Sequence, residues 1–367
     1  MVKVAILLFI MQLNSMLAVG LGWLPQSVAL SVRVCVGGYL LYHYIRNGKM
    51  HYSLYVLLLV MLTLFVINDM MLIINFIFVS LMIYSIKDNG EESIIKSIYY
   101  STIALSLIFI VISLNGILHP TILYSPDTGR YRNSLGFISP NYPGLIAFSC
   151  IVALFSCIGM LKSKVGKKSK VLVVIIALFC LVIPLLTDSR TPLYTLIVSF
   201  IFYVLLRFSF FRLLTRIFIP LVPAIFMGLT LYIAFYYNHD INALLSGRPY
   251  LYSLYLKDFG WGDYLLGGEG TQGFSVDSSY LLLLSCFGVF SLFIIAILLY
   301  KCLVNNKNKY VYAMFFSIFV YGLSESIMVR PEISVVFLFY SLLAITIKSD
   351  KIMNHDEYNC DTKNAKN

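Results

Sequence analysis

The segment NHDINALLSGRPYLYSLYLKDFGWGDYLLGGEGTQGFSVDSSY (residues 238–280) is the one long polar interruption in an otherwise apolar chain. It carries charge, glycine, tyrosine and tryptophan, whereas the sequence around it is rich in Leu, Ile, Val and Phe. Polar groups are costly inside a membrane, so those that are kept there commonly serve a function. We therefore expect the chemistry of this chain to lie in and around this loop.

The composition excludes a soluble protein, because only 12% of the 367 residues are charged and 60% are hydrophobic. A soluble protein has roughly 25% charged residues. Apolar runs long enough for a spanning helix recur, without the alternation typical of a lipid-facing barrel. Because helices satisfy their own backbone in lipid, the sequence predicts an all-α integral membrane protein. The net charge of +10 then reflects cytoplasmic anchoring residues, and nucleic acid is not an expected partner.

The chain divides into about twelve apolar segments, each of which we interpret as a transmembrane helix, the first in preference to a signal peptide. The segments are residues 3–21, 27–45, 52–67, 70–86, 98–114, 141–161, 171–186, 192–207, 214–236, 278–300, 310–328 and 332–348. They form one polytopic domain, residues 1–348, with a long external loop at 238–277. The polar tail, residues 349–367, is expected to be disordered and cytoplasmic.

Basic residues set the expected orientation. The run KSKVGKKSK (162–170) must be cytoplasmic, and alternation of the segments then puts most other Lys and Arg residues on the same side. Both termini are therefore expected on the cytoplasmic side of the membrane. The loops at 115–140 and 238–277 are expected outside.

Most of the basic residues that are expected on the outer side are arginine. They lie in outer loops or outer halves of helices: Arg33, Arg130, Arg132, Arg190, Arg248, Lys257 and Arg330. A guanidinium binds two phosphate oxygens at once, so arginine kept on the outer face indicates a bound anion. The alternative is that each arginine pairs with a local acid. Those pairs would be Arg130 with Asp127, Arg248 with Asp240, and Arg330 with Glu332.

Two short motifs place arginine at a helix start. TDSRTP (187–192) puts Arg190 beside the free N–H groups of a helix that restarts at Pro192, although a solvated Asp188–Arg190 pair is the alternative. In the long loop, Arg248 sits at the N-terminal end of an amphipathic helix, and Pro249 fits the start of that helix. The helix is expected to run to about Asp258 and to lie flat on the outer leaflet.

Carboxylates stand at the outer mouths of two later segments. Asp277 precedes the tenth segment, as a general base or as a helix N-cap. Glu325 lies near the outer end of the eleventh segment, where an ionisable residue is functional or paired. Tyr250 and Trp261 are able to stack on sugar rings, with the interfacial aromatic belt as the alternative. No His, Cys and carboxylate set has metal-ligand spacing.

These pieces, in this order, resemble the O-antigen polymerase/ligase superfamily, and most closely the Wzy-type polysaccharide polymerases. The matching motifs are PN-x-x-G at Pro140, Asn141 and Gly144, S-R at Ser189-Arg190, S-G-R at Ser246-Gly247-Arg248, glycines at 267–273, the series Asp277, Tyr280, Leu281 and Gly288, and Glu325. The resemblance covers the C-terminal two-thirds of the chain. Ligases of the superfamily tend to have His at the position of Asp277, which favours a polymerase.

The resemblance implies a GT-C-like fold and an enzyme that joins undecaprenyl-pyrophosphate-linked oligosaccharides into a surface polysaccharide: O-antigen, capsule or exopolysaccharide. An acceptor sugar hydroxyl attacks the anomeric carbon of the donor, and lipid pyrophosphate leaves. Arg190 and Arg248, helped by Arg130 and Arg132, would bind the pyrophosphate.

The same resemblance implies that Asp277 or Glu325 accepts the hydroxyl proton, and that Tyr250, Trp261 and Asn141 contact the glycan. No cofactor or metal is expected. Expected partners are the lipid-linked substrate, membrane lipid, a chain-length regulator and a flippase. Two alternatives stay open. One is a ligase that moves the glycan to another acceptor, and the other is a flippase or transporter of lipid-linked oligosaccharide.

Overall fold

A computed structural model describes residues 2–46, 52–68, 71–86, 90–114, 122–125, 130–161, 164–236, 242, 245, 247–270, 276–306 and 308–345. The predicted disordered tail at 349–367 lies outside these ranges, as do parts of the two outer loops.

Helices make up most of the described chain. They are α1 (Val2–Ser15), α2 (Gln26–Arg46), α3 (Tyr52–Asn68), α4 (Met71–Ile86), α5 (Glu91–Leu114), α6 (Asn141–Leu161), α7 (Lys167–Leu186), α8 (Arg190–Leu205), α9 (Ser209–Phe218), α10 (Val222–Phe235), α11 (Arg248–Tyr255), α12 (Trp261–Leu266), α13 (Ser279–Phe287), α14 (Phe290–Asn305), α15 (Lys309–Gly322) and α16 (Ser334–Ile345). A π-helical turn, Met16–Gly20, continues α1. A 3-10 turn, Ile219–Leu221, joins α9 to α10.

The one sheet among the described residues is a short antiparallel hairpin. Its strands are β1 (Ile122–Ser125) and β2 (Arg130–Asn133), and Leu123 pairs with Arg132. The hairpin precedes α6 directly, so it holds Arg132 near the start of that helix.

Helix α6 is the centre of the bundle. It is apolar on all sides and almost entirely buried, as expected for a helix surrounded by other helices. It packs against α5, α7, α8 and α15. Gly144 permits part of this packing, because a Cβ atom there would lie 2.8 Å from Pro192 Cγ and 3.0 Å from Ser189 Cβ. The PN-x-x-G and S-R motifs are therefore in direct contact.

The helical, membrane-embedded character predicted from the composition is confirmed, but the prediction of twelve spans is wrong. Among the described residues, five helical stretches are long and apolar enough to cross a membrane. They are Val2–Gly20, Glu91–Leu114, Asn141–Leu161, Lys167–Leu186 and Ser209–Phe235, and a bent pair raises the number to six. This architecture does not fit the GT-C-like arrangement that the resemblance implied.

Helix length explains the difference. Several apolar segments form shorter helices, such as Arg190–Leu205 and Ser334–Ile345. A 16-residue helix such as α8 is about 24 Å long, less than the roughly 30 Å of the hydrocarbon core. The predicted segment at 310–328 is helical only to Gly322, because its last residues form an irregular turn.

The bent pair consists of α13 and α14, and the chain bends by 110° between them. Gly288 lies at the bend with φ of +64°, a conformation that favours glycine. A Cβ atom at this position would overlap the backbone carbonyl of Leu265 in α12. The bend therefore depends both on the backbone freedom of Gly288 and on its lack of a side chain.

Replacing Gly288 with alanine should lower the stability of the protein by on the order of 3 kcal/mol, through the strained φ angle and the steric overlap. The measurement is the melting temperature of the purified protein in detergent. Gly228→Ala is the matched control, because no atom lies within 4 Å of its added Cβ atom and alanine favours helix. Equal melting temperatures of the two variants would contradict the steric explanation.

Candidate functional site

A buried irregular segment, residues 323–333, carries the acidic and basic groups of the site into the bundle. Its backbone is satisfied by side chains from other elements. Ser279 Oγ donates a hydrogen bond to the carbonyl oxygen of Glu325 at 2.6 Å and accepts one from the Met328 N–H at 3.0 Å. Tyr340 donates to the carbonyl oxygen of Met328 at 3.1 Å. Irregular backbone is tolerated inside a membrane protein when protein surrounds it in this way.

Arg248 lies between two carboxylates. Its Nη2 atom is 3.4 Å from Glu325 Oε1 and 3.8 Å from Asp277 Oδ2. Gly247, with φ of +80°, turns the chain into α11, so that Arg248 begins this helix. The N-cap residue of α13 is Ser278, and Asp277 lies one position before it. Asp277 therefore does not occupy the N-cap position that was the alternative to a role as general base. Three residues that are distant in the sequence therefore form one charged cluster.

The carboxyl group of Glu325 is nearly inaccessible to solvent, and Glu325 is not part of the membrane-spanning helices found among the described residues. Burial, followed by the negative charge of Asp277, raises the pKa of Glu325 to about 8. The positive charges of Arg248, Arg330 and Arg132 act in the opposite direction but do not outweigh burial. A carboxyl group with a pKa near neutrality is suited to accept a proton during catalysis.

A second cluster joins β2, the start of α6 and the turn before α8. Arg132 Nη2 donates hydrogen bonds to Asn141 Oδ1 at 2.5 Å and to Ser189 Oγ at 3.3 Å. Ser189 Oγ donates in turn to the carbonyl oxygen of Pro140 at 2.8 Å. The charge of Arg132 also acts on Glu325, so the two clusters are electrostatically linked.

The structure does not bring every predicted site residue into these clusters. Arg190 is exposed and lies 3.8 Å from Asp188, the local pair that was the alternative to an anion site. Arg130 belongs to β2, but its side chain lies outside the described part. Trp261 begins α12 and is 88% exposed, and Tyr250 is 49% exposed. Both aromatic rings are thus available to a ligand or to lipid.

Two further residues are near the site: Arg330, which the sequence suggested would bind an anion or pair with Glu332, and Tyr321, to which sequence reasoning assigned no role. Arg330 does not pair with Glu332 among the described residues, and its guanidinium lies 5.8 Å from the centre of the Tyr142 ring. The hydroxyl group of Tyr321 is buried without a hydrogen-bond partner in the described structure. The signal for Tyr321 was its spacing, because it precedes Glu325 by four residues near the end of a helix.

Ser279→Ala should destabilise the buried segment at 323–333, because it leaves the Met328 N–H without its partner. The expected loss is about 1–3 kcal/mol, measured as a lower melting temperature. Ser317→Ala is the matched control, since within the described chain the Oγ atom of this buried serine bonds just the Ala313 carbonyl one turn back. If both variants melt at the same temperature, Ser279 does not hold the segment.

Comparison with known proteins leaves the chain without an assigned family. No family model, no curated protein and no solved structure matches it.

Proposed function

We propose that this chain is a membrane glycosyltransferase that polymerises lipid-pyrophosphate-linked oligosaccharide repeat units on the outer face of a bacterial cytoplasmic membrane. The observation that carries the proposal is the contact of Arg248 with the buried carboxyl group of Glu325, on which the charges of Arg330 and Arg132 also act. Asp277 is the second acid of the site. Even with Glu325 and Asp277 both ionised, the three positive charges that act on Glu325 outnumber the two carboxylates, so the site favours an anionic ligand.

The ion pairs of Arg248 are loose enough to be exchanged for such a ligand. At 3.4 and 3.8 Å they are longer than close charge-assisted hydrogen bonds, and the buried Nε atom of Arg248 has no partner in the described structure. A pyrophosphate group can therefore replace these carboxylates as the partner of the guanidinium. It offers the planar, two-oxygen contact that a guanidinium prefers.

In the proposed reaction, a hydroxyl group of the acceptor repeat unit attacks the anomeric carbon of the donor glycan. A new glycosidic bond forms, the bond between that carbon and the pyrophosphate oxygen breaks, and the lipid pyrophosphate leaves with the electron pair. Arg248 and its neighbours stabilise the charge that grows on the leaving group. Glu325 accepts the proton of the attacking hydroxyl group, in keeping with its raised pKa.

The proposal is tested with the purified full-length protein in lipid vesicles, supplied with undecaprenyl-pyrophosphate-linked repeat units from its own cells. A ladder of lipid-linked polymer is the expected product. Transfer of glycan only when a second, non-repeat acceptor is added would identify a ligase instead. Movement of intact repeat units across the bilayer, without any longer product, would identify a flippase.

A further inference from the structure

A second site lies beside the arginine cluster, between the end of α1, the first half of α6 and the start of α16. It is a cavity of about 20 Å³. Its wall contains the polar side chains of Gln12, Ser15, Tyr142, Ser149, Glu332 and Ser334, and the rest of the wall is apolar or cysteine. A single water-sized species needs about 10–15 Å³ by this measure. The cavity thus has room for one small species.

Glu332 is a buried carboxylate whose charge is incompletely balanced. Ser15 Oγ donates a hydrogen bond to its Oε1 atom at 3.0 Å, while its Oε2 atom has no hydrogen-bond partner among the described residues. Glu332 forms no ion pair in the described structure, and the guanidinium of Arg330 lies over the Tyr142 ring instead. Because Tyr142 also lines the cavity, the charge of Arg330 is close by but makes no direct pair with Glu332. A buried carboxylate without a direct ion pair is costly, so a positive partner at its free oxygen is expected.

The other walls of the cavity offer oxygen atoms that have no partner. Both polar atoms of the Gln12 amide are buried and lack a hydrogen bond in the described structure, as does the Oγ atom of Ser334. Gln12 is 4% exposed and Ser334 is 1% exposed. Because neither amide atom of Gln12 is committed, this side chain is free to present its oxygen to the cavity.

We propose that this cavity binds one small monovalent cation of the size of Na⁺, held by the Glu332 carboxylate, the Gln12 amide oxygen and the hydroxyl groups of Ser15 and Ser334. Oxygen ligands suit a hard cation. One carboxylate balances a single positive charge, whereas Ca²⁺ sites commonly use several carboxylates. The π-helical turn Met16–Gly20 begins directly after Ser15, and such turns are frequent at functional sites.

The position of this cation gives it a structural consequence. Gln12 and Ser15 belong to α1, whereas Glu332 belongs to the segment at 323–333 that also carries Glu325. The bound ion would join the first helix to that segment and so hold the candidate active site in place. Binding is therefore measurable as stability, independently of any enzymatic activity.

The test is the melting temperature of the purified full-length protein in detergent, in NaCl, KCl or choline chloride at one ionic strength and pH. Na⁺ should raise the melting temperature in a saturable manner, by roughly 5 °C at a hundred-fold excess over its dissociation constant. Glu332→Gln and Gln12→Leu should each abolish this rise. Glu269→Gln, which alters an exposed acid elsewhere, should keep it.

Two results would overturn the proposal. One is an equal melting temperature in all three salts, because the cavity would then bind no cation. The other is a sodium effect that persists in the variants. If Glu332→Gln does not fold, Gln12→Leu decides the question, since this change keeps the carboxylate and removes one ligand.

Discussion

Arg248→Ala should abolish polymer formation and leave single repeat units on the lipid carrier. Removing a fixed group that stabilises developing charge costs on the order of 10²–10³ in rate. Arg248 also faces Glu325 and Asp277 at 3.4 and 3.8 Å, so its loss leaves two acids without their shared counter-charge. The measurement is extraction of lipid-linked glycans from cells that carry the variant, scored for chain length at equal protein level.

Two further variants separate the role of Arg248 from general effects of charge. Lys257→Ala removes an exposed cation from the same loop and should leave chain length unchanged. Arg248→Lys keeps the positive charge but loses the planar, two-oxygen contact, so it should restore only part of the activity. The proposed role of Arg248 is wrong if full-length polymer persists in Arg248→Ala. Polymer that accumulates on the carrier without reaching its final acceptor would indicate a ligase.

The sequence predicted those parts of the structure that depend on local pattern. Composition and apolar runs indicated a helical membrane protein, and the loop at 238–277 does contain a short helix that starts at Arg248. Its burial differs from the expectation for a helix lying on lipid, because Tyr252 and Leu256 are buried, whereas Leu251 is partly exposed. Hydrophobicity alone does not distinguish a residue that faces lipid from one that faces protein.

The number of spans and the composition of the site depend on tertiary packing, which a single sequence does not contain. The bend at Gly288 requires the backbone of Leu265 to lie against it. Glu325 entered the prediction as a residue at the end of a helix, yet it lies in a buried turn held by Ser279. The meeting of Arg248 with Asp277 and Glu325 joins elements separated by up to 77 positions, beyond the reach of any local pattern.

Glu325→Gln should lower polymerase activity by about 10²–10⁴-fold, because the amide cannot accept the hydroxyl proton. In the wild type, burial and the charge of Asp277 raise the pKa of Glu325 to about 8. A base must be deprotonated to act, so wild-type activity should rise with pH and level off above about 8. The measurement is the initial rate of chain extension in vesicles between pH 6 and pH 9, with Glu269→Gln as the control.

The pH dependence of stability reports the pKa of Glu325 without an activity measurement. The unfolded chain releases the Glu325 proton near the ordinary value of 4.5, whereas the folded protein keeps it to about pH 8. Between these values the folded state binds more protons, so the contribution of Glu325 to stability falls as pH rises. Glu325→Gln should remove this fall from the pH dependence of the melting temperature. In Asp277→Asn, the fall in stability should end at a lower pH than in the wild type, because the negative charge that helps to raise the pKa of Glu325 is gone. If the fall in Asp277→Asn ends at the same pH as in the wild type, the two carboxyl groups do not act on each other. Asp277 would then not contribute to the raised pKa of Glu325.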